Sequence, residues 1–255
     1  MAMNGDIQRA NMWTRIAAAF LDLILLVILI SGIAIAASEI TNYTDYVSKM
    51  NERYAKYEEM YGVEFGIDEE QFNAMTKEEQ DNYTAAAAAA EQDEELLWAY
   101  EIVINLSFAI IAVSIFLGYL LLEFIVPLLF GNGQTVGKKL FNLALMRTDS
   151  VKLTPFALFV RSMLGKCTIE ALVPVMMLMA FTVAPIGLIA PVIVFGVLAI
   201  NVGLLISSRT RACIHDMMAV TVVIDHSSQQ IFDTPEDLLE YKKKLAADDA
   251  QRQDY

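Results

Sequence analysis

Residues Trp13 to Ala37, WTRIAAAFLDLILLVILISGIAIAA, most limit what this chain can become. The run is apolar and exceeds the roughly 20 residues that carry a helix across a hydrocarbon core at about 1.5 Å per residue. It nonetheless holds Arg15 near its start and Asp22 inside it. An ionisable group at the centre of a spanning helix costs about 2.5–3.5 kcal/mol on insertion scales, so both charges need partners. Their spacing is two helical turns, which puts them on one stripe. Helical side chains lean toward the N-terminus, aiming Arg15 away from Asp22, and about 10.5 Å of rise keeps the two from bonding directly. Ala34-Ile35-Ala36 offers a cleavage-like pattern. However, an uncharged core begins only after Asp22, so the helix is expected to be retained as an anchor.

Further apolar blocks follow, and 56% of the 255 residues are hydrophobic, which places the chain among polytopic membrane proteins. The expected order is a leader (1–12), span one (13–37), a polar insert (38–95), span two (96–130) and a basic loop (131–154). A helix with an amphipathic start becoming span three (155–184) comes next. Span four (187–206), a cytoplasmic segment (207–225) and a polar C-terminal helix or tail (226–255) complete it. Ala184-Pro185-Ile186-Gly187 supplies the turn before span four. The expected fold is thus all-α with four transmembrane helices, a helical acidic extracytoplasmic insert and a small cytoplasmic β-sheet.

The net charge of −13 belongs almost wholly to the insert, where 16 acids meet 4 bases. Nucleic-acid binding is therefore excluded. The other 14 of the 18 Lys and Arg residues fall in cytoplasmic segments and span ends if both termini lie inside, the positive-inside pattern. A three-span arrangement would export Arg209, Arg211 and Lys242-Lys243-Lys244, and is rejected.

Within the insert, Asp68 to Gln71 and Thr76 to Glu79 fit capping boxes. The second leads into Ala85–Ala90, and with no Gly or Pro before Gly118, one helix is expected from about Lys77 into the membrane. Tyr43, Tyr46, Tyr54, Tyr57 and Tyr61 suit either a packed helical cap or membrane-interface contacts. Span two ends at Pro127 and the turn Gly131-Asn132-Gly133. Beyond it, Phe141–Met146 and Val151–Leu153 suggest a short hairpin, which Val220–Ile224 could join as a further strand. Thr234-Pro235-Glu236-Asp237 opens the last helix, with Thr as N-cap and Pro at N1.

The rise per residue sets the depth of each buried charge. Asp22 lies roughly 13 Å from the cytoplasmic start of span one, Glu123 roughly 10 Å from the end of span two, and Arg161 about 9 Å beyond Pro155. These three share a level, with Arg15 and Asp216 nearer the interface. The expected pairs are Arg15 with Asp216, and Asp22 with Arg161 or Lys166; Glu123 shares that base or holds a proton. Such a network either fixes helix register only, or leaves Asp22 and Glu123 to bind a cation or proton. Acids in excess of bases at that level favour the second.

Other motifs carry less. GNGQTVGKK at 131–139 has the wrong spacing for a phosphate loop, and Lys139 stands where Ser or Thr is required. His215-Asp216 has only His226 as a second histidine, and Cys167 and Cys213 have no zinc-site or disulfide spacing, so no metal or other cofactor is expected. No nucleophile and base are visible in a soluble site, so an enzyme is not expected.

Arg15 and Asp22, the loop Gly133-Gln134-Thr135-Val136-Gly137-Lys138-Lys139-Leu140, and Arg211-x-x-x-His215-Asp216 together resemble the RDD membrane proteins. That family is named for one arginine and two aspartates, matched here by Arg15, Asp22 and Asp216, and Glu123 and Arg161 also look like family positions. The resemblance covers 11–37 and about 100–225, leaving out the insert and tail. It implies either sodium–proton exchange, with which some members are associated, or a part in a membrane assembly, as for a eukaryotic relative. The residues leave the same two readings: cation- or proton-coupled transport, or a scaffold or regulatory subunit that binds a membrane-protein partner through 38–95. Besides the bilayer, a homo-oligomer is expected, because four spans are few for a transporter. The plasma membrane is the expected location.

Overall fold

The computed structural model describes residues 10–183, 189–207 and 212–253. The turn expected at 184–187 and the bases Arg209 and Arg211 lie outside the described residues. In chain order the elements are α1 (Met12–Ile40), α2 (Tyr43–Tyr61), α3 (Glu69–Ala74), α4 (Lys77–Ala90) and α5 (Glu94–Phe130). Next come α6 (Val136–Leu140), β1 (Leu143–Arg147), α7 (Pro155–Val183) and α8 (Ile189–Ser207). The chain closes with α9 (Ile214–Met218), β2 (Thr221–Asp225) and α10 (Pro235–Gln253). Among the described residues, α1, α5 and α7 are long and apolar enough to cross a membrane; α8 is a shorter apolar helix. The chain divides into two compact units, residues 32–113 and the remainder.

In the 32–113 unit, local chemistry sets the helix starts. Both capping boxes form: Asp68 accepts from the Gln71 amide and Thr76 from the Glu79 amide, each answered in reverse by the third residue's side chain. Ala86 and Ala90 are buried. Ring pairs Tyr54–Phe65, Phe65–Tyr83 and Phe72–Tyr83 stand edge to face at 5.5–5.7 Å, as the aromatic quadrupole favours. Tyr46 meets Trp98, and the Tyr43 hydroxyl lies 2.9 Å from Ser107 Oγ, so these tyrosines have packing partners inside the unit.

The single helix expected from Lys77 into the membrane is instead two. α4 stops at Ala90, and Asp93 starts α5 by accepting from the amides of Glu95 (3.0 Å) and Leu96 (3.2 Å). An aspartate satisfying free amides ends one helix and begins another without Gly or Pro. Its other oxygen accepts from the Tyr57 hydroxyl at 3.0 Å and from Arg53 at 3.3 Å, which fixes the break.

In the larger unit, β1 and β2 pair antiparallel from Leu143↔Asp225 to Arg147↔Thr221. Both strands read as continuous apolar runs because both sheet faces are covered. Leu143, Leu145 and Val223 pack on Ala10 and Ala18, while Ala144, Met146, Val222 and Ile224 pack on Ile231. The hairpin expected between Phe141–Met146 and Val151–Leu153 shrinks to one bridge, Met146↔Lys152, while Val151 bridges Phe232. The second strand has no room: Thr154 caps α7, accepting from the Ala157 amide, and Pro155 takes the first helical position. Likewise Thr234 caps α10 by accepting from the Asp237 amide, with Pro235 at N1.

Two helices change winding where the charges lie. Leu120–Ile125 of α5 and Val160–Leu172 of α7 are π-helical, with Val126 N donating to Leu121 O and Val173 N to Thr168 O, five residues back. The wider turn brings residues five apart toward one face. Arg161 and Lys166 are so spaced, and Glu170 follows one shorter step on.

Candidate functional site: a charge-balanced polar cavity

Inside the larger unit a cavity of about 280 Å³ is lined by carboxylates Asp22, Glu123, Glu170 and Asp216 and by bases Arg15, Lys138, Arg161 and Lys166, with His215. Each acid has a distinct partner. Arg161 Nε and Nη2 both lie 2.8 Å from Asp216 Oδ1, and the two side chains are 2% and 1% exposed. Arg15 Nη2 approaches the other oxygen at 3.7 Å, so the expected Arg15–Asp216 partnership is present as the looser contact. The Cys213 amide donates to that oxygen at 3.3 Å. Burial alone would raise the Asp216 carboxyl, but Arg161, His215 and Arg15 outweigh it and hold it well below the usual carboxylate range.

Lys166 Nζ donates to Glu123 Oε2 at 2.8 Å, linking the π-helical stretches of α5 and α7. His215 Nδ1 lies 2.9 and 3.0 Å from the two Glu170 oxygens, so that nitrogen carries the proton. Burial, aided by Arg161 against the pull of Asp216, moves the imidazole below its ordinary value. This contact needs Gly165, since a Cβ there would stand 2.6 Å from His215 Cβ.

Asp22 departs furthest from the sequence reading. It bonds neither Arg161 nor Lys166, because those bases are taken by Asp216 and Glu123. Instead it reaches the start of α6, accepting from the Gly137 amide at 2.7 Å and from the Thr135 hydroxyl. Lys138 Nζ stands 3.8 Å from Asp22 and 3.0 Å from Thr135 Oγ1. Gly137 permits the approach: a Cβ there would lie 2.3 Å from the Ala18 carbonyl oxygen. Lys138 is 7% exposed. Burial and the positive charge of Lys166, against the pull of Glu123, push its ammonium down to about 8.

Sequence reasoning placed Lys138 in a soluble loop and so found excess acids; with it, four bases face four carboxylates around the cavity. Glu170 and the pairing of His215 were also missed. Thr135, an N-cap three residues before Lys138, was the available signal for the loop; Glu170, one α-turn beyond Lys166, was the signal for the helix.

Cys213, His215 and Asp216 bring donor atoms within 4.8 Å of one another. They fit a metal poorly. Asp216 is committed to two guanidinium groups, His215 Nδ1 to Glu170, and the Cys213 thiol is pushed up to about 11 by burial and by Asp216. A bound cation would have to displace Arg161 from a dry pair.

No curated protein and no solved structure matches the chain. The model of the RDD family matches residues 9–220, which include every charged residue that lines the cavity. The chain belongs to the RDD family; of the three charges matched to that family's name, Arg15 and Asp22 lie on α1 and Asp216 on α9.

Proposed function

We propose that this protein is a four-span membrane protein that exchanges a monovalent cation for a proton at the buried cluster, with Asp22 and Glu123 as the cation-binding carboxylates. The charge balance of the cavity supports this reading most. A low-dielectric site that is neutral at rest resists gaining a net charge, so a cation enters only as a positive charge leaves. That is the electrostatic condition for coupled exchange. The π-helical stretches that bear Glu123, Arg161 and Lys166 add support, since such irregular turns are frequent at functional sites.

In this reading α8 is the fourth span. Its 19 residues cover about 28 Å as a helix, close to the hydrocarbon thickness. Both termini are then cytoplasmic, the 38–95 insert is external, and the plasma membrane is the host bilayer. Four helices per chain suggest a homo-oligomeric pathway. The protein is not an enzyme in this account.

The test is flux in vesicles of purified protein, read as dissipation of a pH gradient on adding Na⁺ or K⁺. Asp22→Asn and Glu123→Gln should each slow it, and unchanged rates in both would discard the mechanism. A scaffold or regulatory role is the second reading, favoured by the separate compactness of the 32–113 unit and by Trp98, 52% exposed upon it. It predicts no ion flux and a copurifying membrane protein that is lost when 40–90 are deleted.

A further inference from the structure

Resting on that exchange reading, we propose that Lys138 is a tethered counter-ion that occupies the cation position beside Asp22, and that the entering cation displaces Lys138 rather than Lys166. Both candidate carboxylates are already held by a lysine, so a cation gains access to either only by removing one. The geometry distinguishes the two. Lys166 Nζ contacts Glu123 directly at 2.8 Å, whereas Lys138 Nζ stops 3.8 Å from Asp22, beyond hydrogen-bond length. The ammonium instead donates to Thr135 Oγ1 at 3.0 Å, and that hydroxyl itself donates to Asp22.

The groups facing Lys138 come from three helices: Asp22 on α1, Glu123 on α5, and Arg161 and Lys166 on α7. Two attract it and two repel it. The neighbouring Lys139 is directed elsewhere, over the Phe130 ring at 3.8 Å. When the ammonium withdraws out of the cavity along its flexible four-carbon stem, its positive charge leaves as the cation's enters, Thr135 Oγ1 regains a lone pair and Asp22 Oδ2 faces the cavity. A monovalent cation replaces the single ammonium charge one for one, whereas a divalent cation would leave an uncompensated positive charge in the cavity. Asp22 stays fixed throughout because the Gly137 amide holds its other oxygen.

The experiment compares the Na⁺ and K⁺ concentrations that give half-maximal flux in vesicles for wild type, Lys138→Gln and Lys138→Arg. Glutamine removes the competitor and should lower the half-maximal concentration on the order of ten-fold; arginine, a two-pronged donor for a carboxylate, should raise it. A merely structural lysine would make both variants worse in the same direction. Cation-dependent shifts of thermal midpoint in detergent provide a second readout of the same order in variants that insert poorly. Flux with unmoved half-maximal concentrations in both variants overturns the role of Lys138 and leaves exchange standing. A wild type with neither flux nor a cation-dependent shift overturns both.

Discussion

The two units treat acidic side chains in opposite ways. In the 32–113 unit, Asp68 and Glu79 serve the nearest helix end, and acids such as Glu69 and Glu70 stand in water. In the larger unit four carboxylates are set against four bases from helices distant in sequence, and Asp216 is 1% exposed. Sixteen acids in the insert therefore constrain the fold less than four around the cavity. Screened charges cost little and contribute little, whereas desolvated ones are tolerable only in pairs.

The sharpest way to break this contrast is Asp216→Ala, which leaves Arg161 buried without its carboxylate. A loss of about 3–5 kcal/mol is expected, seen as a collapse of thermal midpoint or of monodisperse yield in detergent. A near-normal midpoint would place the pair in water after all. The same carboxylate predicts an acid limit. Its folded value lies below its unfolded one, so its stabilisation is complete above roughly pH 4 and declines as pH falls toward the folded value. Asp216→Asn should flatten the fall in thermal midpoint below pH 4.

Gly137→Ala comes next. The new methyl meets the Ala18 carbonyl, and about 1–3 kcal/mol of overpacking is expected, together with slower flux because Asp22 must shift. In the other unit Asp93→Ala removes a helix start and should cost about 1 kcal/mol, seen as a lowered thermal midpoint followed by far-ultraviolet circular dichroism. Smallest is Glu69→Gln with Glu70→Gln, which should leave the thermal midpoint unmoved; a measurable drop would show that the exposed acids matter more than their solvation implies.

The legible parts of the sequence were those set by neighbours along the chain. Thr76 and Asp68 announce helix starts, Pro155 and Pro235 sit at first helical positions, and the apolar runs of α1, α5 and α7 declare their length. Depth counting puts Asp22, Glu123 and Arg161 at one level, and all three line one cavity. Partner choice was not legible. It depended on α6, five residues long, returning Thr135, Gly137 and Lys138 to α1, and on π-winding that turns Lys166 toward Glu123. Neither a chain reversal of that size nor a change of helical pitch leaves a periodic trace in sequence. The break at Asp93 was written in the residues, but the absence of Gly and Pro concealed it.

The hold of Asp22 on the Gly137 amide and Thr135 hydroxyl also has a mechanical side. Helix α1 and the turn after α5 are riveted together, so neither slides past the other without baring an amide and a carboxylate in a dry place. A motion that opened the cavity would therefore carry α1 and α6 as one piece. The yielding seam would be sought on the far side, where Arg15 reaches Asp216 across 3.7 Å, a looser approach than the 2.7 Å hydrogen bond that holds Asp22.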